Sequence, residues 1–446
     1  MAWVMCFILL PVFGMMMFLI FGQGIRKHTQ KVYYEKLLMG EEMSKRLHKQ
    51  LDFVDKEEAK SVPDVDLVRY FLRYKFLFTE KNSVNIFTDA ADKYESLIND
   101  IKNAKESVNI LYFIIRNDEI GNRIMEELVK KANEGVTVRL LYDSIGCLPT
   151  KNSFLKKLNQ TKCGKAVSFY PVSIFTLSKI NHRNHRKICV IDEKTAYLGG
   201  MNIGDEYMGK KKLSPWRDTH IRLTGESVKL VYKYFCLDWD FSTGENLTGT
   251  LDTLFSSEQS SDGLDTIPTQ IVASGPDSPA DEIKGGIMKM LNNARRYAYI
   301  QTPYFVPDKA FTEALVMAAD SGVDVRLMLP GIPDKPYVYY TSISYLDDLL
   351  KAGIKVYLYN GFLHAKTAVT DDKIATIGTT NIDIRSFQLH FEINAFFYSG
   401  KLAKECKQIF LSDLNNSHEL TLEEYNHRPR MSKIKEALFR LFSPLM

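Results

Sequence analysis

The 446-residue sequence predicts an α/β protein made of two similar α/β domains related by pseudo-twofold symmetry, preceded by an N-terminal transmembrane helix. Three observations predict this architecture. The pattern H-x-K-x-x-x-x-D occurs at residues 185–192 and again at 364–371. A strand–helix–glycine–strand pattern also occurs twice, and a long uncharged run stands at the N-terminus. The length suits two domains of ordinary size with additional segments.

The first predicted element is a membrane span within residues 1–24. Residues 2–21 carry no charged side chain, and a helix of about 20 residues crosses the roughly 30 Å core of a bilayer. Arg26, Lys27 and Lys31 follow the run, so the positive-inside rule predicts a single-pass protein with a cytoplasmic body. A cleaved signal peptide is the alternative, and the absence of a basic segment before the run argues against it. Residues 25–61 are predicted to form a charged, solvated helical spacer.

The two halves of the body repeat one order of elements. Each half shows an apolar strand, a helix and a second strand that begins after glycine, which is the pattern of a βαβ unit in a parallel sheet. These elements are predicted at residues 108–115, 120–132 and 135–140, and again at 298–306, 311–319 and 322–327. The halves are predicted as domains 62–250 and 251–430, with a linking segment at 242–270 that is rich in Ser, Thr, Gly and Asp.

The duplicated motif predicts a phosphate-handling catalytic unit. His and Lys two residues apart point the same way from a β-strand, and residues 187–191 and 366–369 have the apolar composition of buried strands. A glycine-containing turn ending in asparagine follows each copy. Two ordinary strands with an incidental His and Lys are the alternative, and the second copy with its matching turn argues against it. The candidate residues are His185, Lys187, Asp192 and Asn202, and in the second copy His364, Lys366, Asp371 and Asn381.

The C-terminal segment, residues 431–446, predicts a basic amphipathic helix. Lysine and arginine alternate there with large apolar side chains. Such a helix is typical of a membrane surface, and a helix packed on the protein body is an equal alternative.

Charge and cysteine spacing exclude other classes of function. The formal net charge of +4 is too small to indicate nucleic-acid binding, and no dense stripe of Lys and Arg with interleaved aromatic residues occurs. The six cysteines show no metal-ligand spacing and are predicted to be reduced. We therefore predict no metal, no cofactor and no nucleic-acid partner.

The paired motifs resemble those of the phospholipase D superfamily, and several segments are similar to bacterial cardiolipin synthases. The similar segments are 112–118, 199–207, 301–308 (QTPYFVPD), 361–366 (GFLHAK) and 440–445 (RLFSPL). The resemblance covers nearly the whole chain. Members of that family usually carry two N-terminal membrane spans, whereas this chain shows one uncharged run. The resemblance implies a bacterial cell-membrane enzyme that condenses two phosphatidylglycerol molecules.

The motif residues suit phosphodiester chemistry. The two lysines and two asparagines can hold the charged phosphate oxygens. One neutral imidazole can attack phosphorus while the other, protonated, delivers a proton to the leaving alkoxide. The family resemblance implies a phosphohistidine intermediate with His185 as nucleophile and His364 as general acid and base. It also implies that Asp218 and Glu392 orient the two imidazoles, whereas Asp192 and Asp371 act mainly as structural salt-bridge partners.

Alternative functions differ in the acceptor or the substrate. A phospholipase D-type hydrolase would use water as the acceptor, and a membrane-anchored nuclease would act on nucleic acid. The membrane run, the aromatic segment around residue 304 and the basic tail favour lipid. A catalytically inactive lipid-binding module is disfavoured because both motifs are complete. His182 and His390 do not match the motif, so neither is assigned a role in the chemistry.

Overall fold

The computed structural model describes residues 40–55, 64–171, 181–210, 215–256, 264–441 and 443, together with 11, 12, 14, 15 and 18. The predicted transmembrane helix at 1–24 therefore lies outside the described residues except at five positions. Residues 25–39 of the predicted spacer also lie outside them. Across the ranges that are described, no helix combines the length and the apolar character that a membrane crossing requires.

The body alternates strands and helices, as the sequence predicts. The strands of residues 40–443 are β1 Phe78–Thr79, β2 Asn82–Phe87, β3 Ser107–Tyr112, β4 Thr137–Asp143, β5 Gly164–Phe169, β6 Ile188–Ile191, β7 Thr195–Gly199, β8 Trp216–Arg217, β9 His220–Gly225, β10 Thr269–Ser274, β11 Tyr297–Gln301, β12 Phe305–Val306, β13 Asp324–Pro330, β14 Lys355–Tyr359, β15 Phe362–Leu363, β16 Thr367–Thr370, β17 Ile374–Gly378, β18 Ile382–Asp383, β19 Glu392–Phe397 and β20 Ser417–Leu420.

The α-helices cover the sheets and line their edges. Those of residues 40–443 are α1 Glu41–Val54, α2 Val65–Arg73, α3 Ala90–Asn103, α4 Glu119–Asn133, α5 Asn152–Leu155, α6 Ser227–Thr243, α7 Leu251–Ser256, α8 Glu282–Asn293, α9 Lys309–Asp320, α10 Pro336–Ser344, α11 Leu346–Lys351, α12 Ile384–Gln388, α13 Gly400–Leu414, α14 Leu422–Asn426 and α15 Arg430–Arg440.

Two large sheets share one strand order. The first sheet runs β2-β9-β7-β6-β3-β4-β5, and the second runs β10-β19-β17-β16-β11-β13-β14 with β1 and β20 added at its edges. The directions of neighbouring strands also agree, position by position, between these two series. The duplicated sequence pattern therefore corresponds to a duplicated topology, while the pseudo-twofold relation between the halves stays a prediction.

The predicted parallel pairing is confirmed for the strands of the βαβ units, and the motif strands add antiparallel pairs to each sheet. Strands β3, β4 and β5 are parallel, as are β11, β13 and β14. Strands β6 and β16 instead run antiparallel to their neighbours. A tight turn reverses the chain after each of them, with Asp192, Glu193, Asp371 and Asp372 at positive φ. Strands joined by such a short turn must be antiparallel, because parallel strands need a long crossover.

The predicted βαβ helices are confirmed within a residue or two. Helix α4 covers the predicted 120–132 and α9 covers 311–319. The side chains of Asp118 and Asp308 cap their N-termini by accepting from backbone amides. The strand predicted at 298–306 divides into β11 and β12, and Pro303 stands between them, where it cannot donate to a strand ladder.

Helix α6 joins the two halves through the core. It is buried all round, from Ser227 to Asp240, and it contacts both β10 of the second sheet and several strands of the first. One large apolar cluster continues from this helix into both sheets, and a second cluster lies under the other face of the first sheet. The shared core holds the two sheets as one body and fixes the position of the chain segments between them.

The N-terminal side of the body departs from the predicted spacer and domain boundary. Helix α1 is not fully solvated, because Met43, Leu47 and Val54 are buried and the guanidinium of Arg46 donates to the carbonyl of Phe255 at 2.5 Å. Helix α2 contacts α8, and β1 pairs with β10. The stretch from α2 to β1 thus contacts the second half, although the predicted first domain begins at residue 62.

Candidate active site

The motif residues lie just before strands β6 and β16 rather than within them. His185 and Lys187 precede Ile188–Ile191, and the second copy is placed in the same way before Thr367–Thr370. These extended segments bond to the opposite half of the chain: the amide of His185 donates to the carbonyl of Phe391 at 3.0 Å, and the amide of His364 donates to that of Arg217 at 2.6 Å. Contacts between the halves therefore fix the motif backbone. Because these amides bond to the opposite half, they do not bond to a neighbouring strand of their own sheet.

Each motif histidine bonds to an acid from the other half. Nδ1 of His185 lies 2.9 and 3.1 Å from the two carboxylate oxygens of Glu392, which is 207 residues away. Nδ1 of His364 lies 2.6 Å from Oδ2 of Asp218. The family resemblance implied both acids, and in the structure each acid bonds to the histidine of the other half. Because Nδ1 of each ring is engaged, Nε2 is the nitrogen available for chemistry.

Burial dominates the environment of the His185–Glu392 pair. Glu392 is fully buried, and burial raises the pKa of its carboxyl to about 8, with Lys187 opposing this effect. The hydroxyl of Thr379 donates to its Oε2 at 2.5 Å. Burial also lowers the pKa of His185 well below its usual value, and the nearby Lys187 lowers it further. His185 is therefore held as a neutral imidazole.

Opposing effects set the pKa of His364 in the His364–Asp218 pair. Burial and the charge of Lys366 lower the pKa of His364 to about 4, although the charge and hydrogen bond of Asp218 act in the opposite direction. The backbone approaches this acid closely, since a Cβ added at Gly200 would lie 2.1 Å from Oδ1 of Asp218. Glycine in the turn after the motif thus makes room for the acid that orients the other histidine.

The two motif lysines are buried beside the histidines. Nζ of Lys187 donates to the carbonyl of His185 at 2.6 Å, and Nζ of Lys366 donates to that of His364 at 2.5 Å. Burial lowers the pKa of Lys187 to about 7 and that of Lys366 to about 8. A phosphodiester anion bound nearby would favour the charged form of both lysines, so binding and protonation are coupled.

The two asparagines border the same cavity as the histidines. Oδ1 of Asn202 accepts from the amide of Ile114 at 3.0 Å, and its Nδ2 donates to the hydroxyl of Tyr207 at 2.5 Å. Asn381 bonds to Asp383, and its Oδ1 has no hydrogen-bond partner in the described part of the chain. The predicted role of the asparagines in holding phosphate oxygens stays a prediction.

The motif aspartates Asp192 and Asp371 lie away from the cavity that the histidines border. They were grouped with the catalytic residues and predicted to form salt bridges, and the structure corrects both expectations, because their carboxylates bond to backbone amides instead. Asp192 accepts from the backbone amides of residues 105, 106 and 107, each at 2.8 Å. Asp371 accepts from those of residues 295, 296 and 297 at 2.7 to 3.0 Å. The carboxylates join the turn after the motif strand to the start of β3 or β11. Neither borders the cavity, and among the described residues neither bonds to a Lys or Arg side chain.

A cavity of about 540 Å³ brings the two motif copies together. Its wall contains polar and aromatic residues that the motif does not include, namely Arg116, Arg183, Glu206, Tyr207, Trp216, Tyr304, Asp334, Lys335, Tyr337, Asp383, Arg385 and His390. Trp216 and Tyr304 stand in segments that a family comparison can single out. The charged members have no regular spacing, and only the fold brings them together.

His390, which was assigned no role from the sequence, lies close to the motif residues. It borders the cavity, and its ring centroid lies 5.7 Å from that of His185. One nitrogen or oxygen from each of His185, His390 and Glu392 lies within 4.8 Å of the others, so these three residues could hold a metal ion. Nδ1 of His185 already bonds to Glu392, and a metal at these atoms would replace that bond. The predicted absence of a metal stays a prediction.

Comparison with protein families identifies both halves. The family model described as "Cardiolipin synthase, PLD-like domain" matches residues 97–213 and 287–414. These two stretches contain both motif copies and, of the two acids that bond to the histidines, Glu392 but not Asp218.

Curated relatives match along the whole chain. The major cardiolipin synthase ClsA of Bacillus subtilis is 41% identical over 100% of this chain and 93% of its own length. A cardiolipin synthase 2 of Staphylococcus epidermidis is 42% identical over 100% of this chain and 92% of its own length.

A solved structure shares the fold at low sequence identity. The crystal structure of phosphatidylserine synthase from Haemophilus influenzae superposes with a TM-score of 0.63 and 17% identity, covering 85% of this chain and 98% of that one. This likeness extends over both sheets.

Proposed function

The chain belongs to the family of phospholipase D-like cardiolipin synthases, and from this premise we propose how it transfers a phosphatidyl group between two phosphatidylglycerol molecules, giving cardiolipin and glycerol. One observation carries the mechanism: two histidines from separate halves border one cavity, and each is held by a carboxylate from the other half. Their Nε2 atoms are then available for one phosphodiester bound between them.

The first step forms a covalent intermediate. Nε2 of His185 attacks phosphorus of the donor lipid, and the bond from phosphorus to the glycerol headgroup oxygen breaks. His364 gives its proton to that oxygen, so glycerol leaves as a neutral alcohol. His185 suits the attacking role because burial and Lys187 keep it neutral. His364 suits the acid because the charge and hydrogen bond of Asp218 raise its pKa against the larger lowering by burial, and a bound phosphate anion raises it further.

The second step regenerates the enzyme. A hydroxyl of the second phosphatidylglycerol attacks the phosphohistidine, and His364, now neutral, takes the hydroxyl proton. The bond from phosphorus to His185 breaks, and cardiolipin leaves. The second step reverses the proton transfer of the first, so the same two histidines serve in both steps.

The lysines supply positive charge to the reacting phosphate. Lys187 and Lys366 lie beside the two histidines in a buried site, where an opposite charge stabilises the developing negative oxygens more than it would in water. Asn202 and Asn381 add hydrogen-bond donors at the cavity wall once their present partners yield. No metal or cofactor takes part in this scheme.

The membrane attachment is part of the same proposal. The uncharged run at residues 2–21 anchors the protein in the bacterial cell membrane with the body in the cytoplasm. The anchor keeps the cavity near a substrate that does not leave the bilayer.

Lipid analysis of the full-length protein tests the reaction. Membranes that contain the protein are incubated with phosphatidylglycerol labelled separately in the acyl chains and in the terminal glycerol, and the products are separated by chromatography. We expect labelled cardiolipin and free labelled glycerol in equal amounts. Phosphatidic acid without cardiolipin would identify a hydrolase, in which water accepts the phosphatidyl group. An unchanged lipid profile would refute both reactions.

A further inference from the structure

Helix α15 carries a row of exposed apolar side chains. Met431, Ile434, Leu438 and Leu441 are 63%, 58%, 52% and 73% exposed. Their spacing of three, four and three residues places them on one face of a helix. Isolated exposed apolar residues are common on protein surfaces, but a continuous row marks an interaction site.

The opposite face of α15 fixes the helix to the body. Glu436 is buried and forms a bidentate ion pair with Arg428, at 2.9 and 2.7 Å. The ring of Phe439 stacks on Tyr340 of α10 with centroids 6.2 Å apart, and Arg440 donates to the carbonyl of Ser344 at 2.6 Å. The helix is therefore docked through the face that carries Glu436, Phe439 and Arg440, and its apolar row points away from the body.

Basic residues flank the apolar row. Arg430, Lys433 and Lys435 are exposed, although Lys433 also donates to the carbonyl of Asn426 and Lys435 lies over the ring of Tyr340. The acidic residue of the helix, Glu436, is paired inside. The outward face thus combines apolar side chains with positive charge, as in helices that lie in the interface of an anionic membrane. A second copy of the chain is disfavoured as its partner, because a twofold contact would bring equal basic edges together.

The position of α15 relates this face to the cavity. Helix α10, on which α15 is packed, supplies Tyr337 and Val338 to the cavity wall. Tyr337 is itself 43% exposed. A membrane that contacts the apolar row would therefore lie beside the helix that borders the cavity.

We propose that the outward face of α15 lies in the headgroup region of an anionic phospholipid bilayer and holds the cavity against the lipid surface. This proposal rests on the proposed function, since the anionic lipid is also the substrate. An N-terminal anchor alone would keep the body near the membrane without orienting it. The apolar row and its basic flanks supply the orientation.

The test compares one enzyme on two substrates. The full-length protein is reconstituted in phosphatidylglycerol vesicles, and the double variant Ile434→Glu, Leu438→Glu is compared with the wild type. Burial of the Ile434 and Leu438 side chains in the bilayer would stabilise the membrane-bound orientation by several times the thermal energy. Because the double variant loses this stabilisation, we expect its turnover on vesicles to fall at least about tenfold. Turnover of a water-soluble activated phosphodiester should stay within about twofold, because α15 contributes no residue to the cavity.

A matched control is available on α9. Met317 is also 63% exposed, and Met317→Glu adds a charge to an apolar surface position outside α15. This variant should keep vesicle turnover. Equal turnover of the double variant and the wild type on vesicles would overturn the proposal, and so would an equal loss on the soluble substrate.

A binding readout separates this proposal from the proposed reaction. An environment-sensitive fluorophore is attached to Ala437→Cys in full-length protein whose Cys6 and Cys163 are replaced by serine, since the remaining described cysteines are buried. Quenching by brominated lipid in vesicles of phosphatidylglycerol, and its loss in the double variant, supports docking even if no cardiolipin forms. Absence of quenching overturns the proposal. A protein dimer that the double variant dissociates would also overturn it, because the apolar row would then contact a second copy of the chain.

Discussion

The two copies of the motif share a local sequence pattern but lie in different electrostatic environments. On one side, His185 bonds to Glu392, whose pKa burial raises to about 8. On the other side, His364 bonds at 2.6 Å to Asp218, which raises the pKa of the histidine against the larger lowering by burial. Burial and Lys187 therefore hold His185 neutral on the first side, whereas on the second side Asp218 offsets part of the lowering of the His364 pKa.

In the proposed mechanism, this difference assigns two unlike roles to a duplicated unit. A symmetric pair of histidines would have no reason to divide the roles of nucleophile and acid. Distinct carboxylates, each supplied by the other half of the chain, give the pair its asymmetry. The following predictions test that asymmetry, from the largest expected effect to the smallest.

Removal of each histidine should separate the roles. With an activated aryl phosphodiester, whose leaving group needs no proton, His364→Ala should still form a phosphohistidine and His185→Ala should form none. With phosphatidylglycerol, His364→Ala should lose about 10²- to 10⁴-fold in turnover, and His185→Ala should show no turnover. Mass spectrometry of protein that is trapped and denatured at alkaline pH, where the P–N bond of phosphohistidine survives, locates the phosphate. A phosphate on His364 would reverse the assignment.

Replacement of the acids should give unequal losses. Glu392→Gln and Asp218→Asn preserve volume, so both variants should fold. We expect Asp218→Asn to lower turnover of phosphatidylglycerol by roughly 10²-fold or more, because the charged acid His364 loses its carboxylate. Glu392→Gln should also lower turnover, by a smaller factor, because a carboxyl whose pKa is raised to about 8 does less to stabilise the positive charge that His185 gains as it attacks phosphorus.

The soluble activated substrate sharpens this comparison. Asp218→Asn should recover much of its activity with a leaving group that needs no proton, and Glu392→Gln should not. Similar recovery in both variants would mean that the two sides are equivalent. Circular dichroism and thermal unfolding of each variant provide the control for folding.

The motif aspartates should affect stability equally on the two sides. Each of Asp192 and Asp371 accepts three backbone amides. Replacement by Asn, which tolerates positive φ, removes the charge and weakens these bonds, and should lower the free energy of unfolding by about 1.5–3 kcal/mol. Turnover of the folded variants should stay close to that of the wild type. A loss of turnover without a loss of stability would return these residues to the active site.

The pH dependence of stability should reveal the buried carboxyl. The pKa of Glu392 is raised to about 8 in the folded protein, so above the ordinary carboxyl range the folded chain keeps a proton that the unfolded chain has lost. The stability from this proton is present at acid pH and is lost as the pH rises through about 8. Relative to Glu392→Gln, the wild type should therefore become less stable between about pH 5 and about pH 9. Denaturant unfolding measures this difference, and parallel curves would contradict it.

The sequence determined the elements and the chemistry. The two H-x-K patterns located His185, Lys187, His364 and Lys366, and all four lie at or beside one cavity. Helices α4 and α9 were placed within a residue or two, because apolar spacing and capping residues are local signals. The family resemblance selected Glu392 and Asp218, but the sequence did not indicate which acid serves which histidine.

The tertiary structure decided what depends on distant contacts. The motif histidines lie before the strands rather than within them, because their amides bond to the opposite half of the chain. The tertiary structure also placed Asp192 and Asp371 away from the cavity, brought His390 beside His185, and turned the apolar row of α15 outward. Local patterns fix the period and type of an element, whereas burial, and with it each pKa, depends on which chain segments meet across the core.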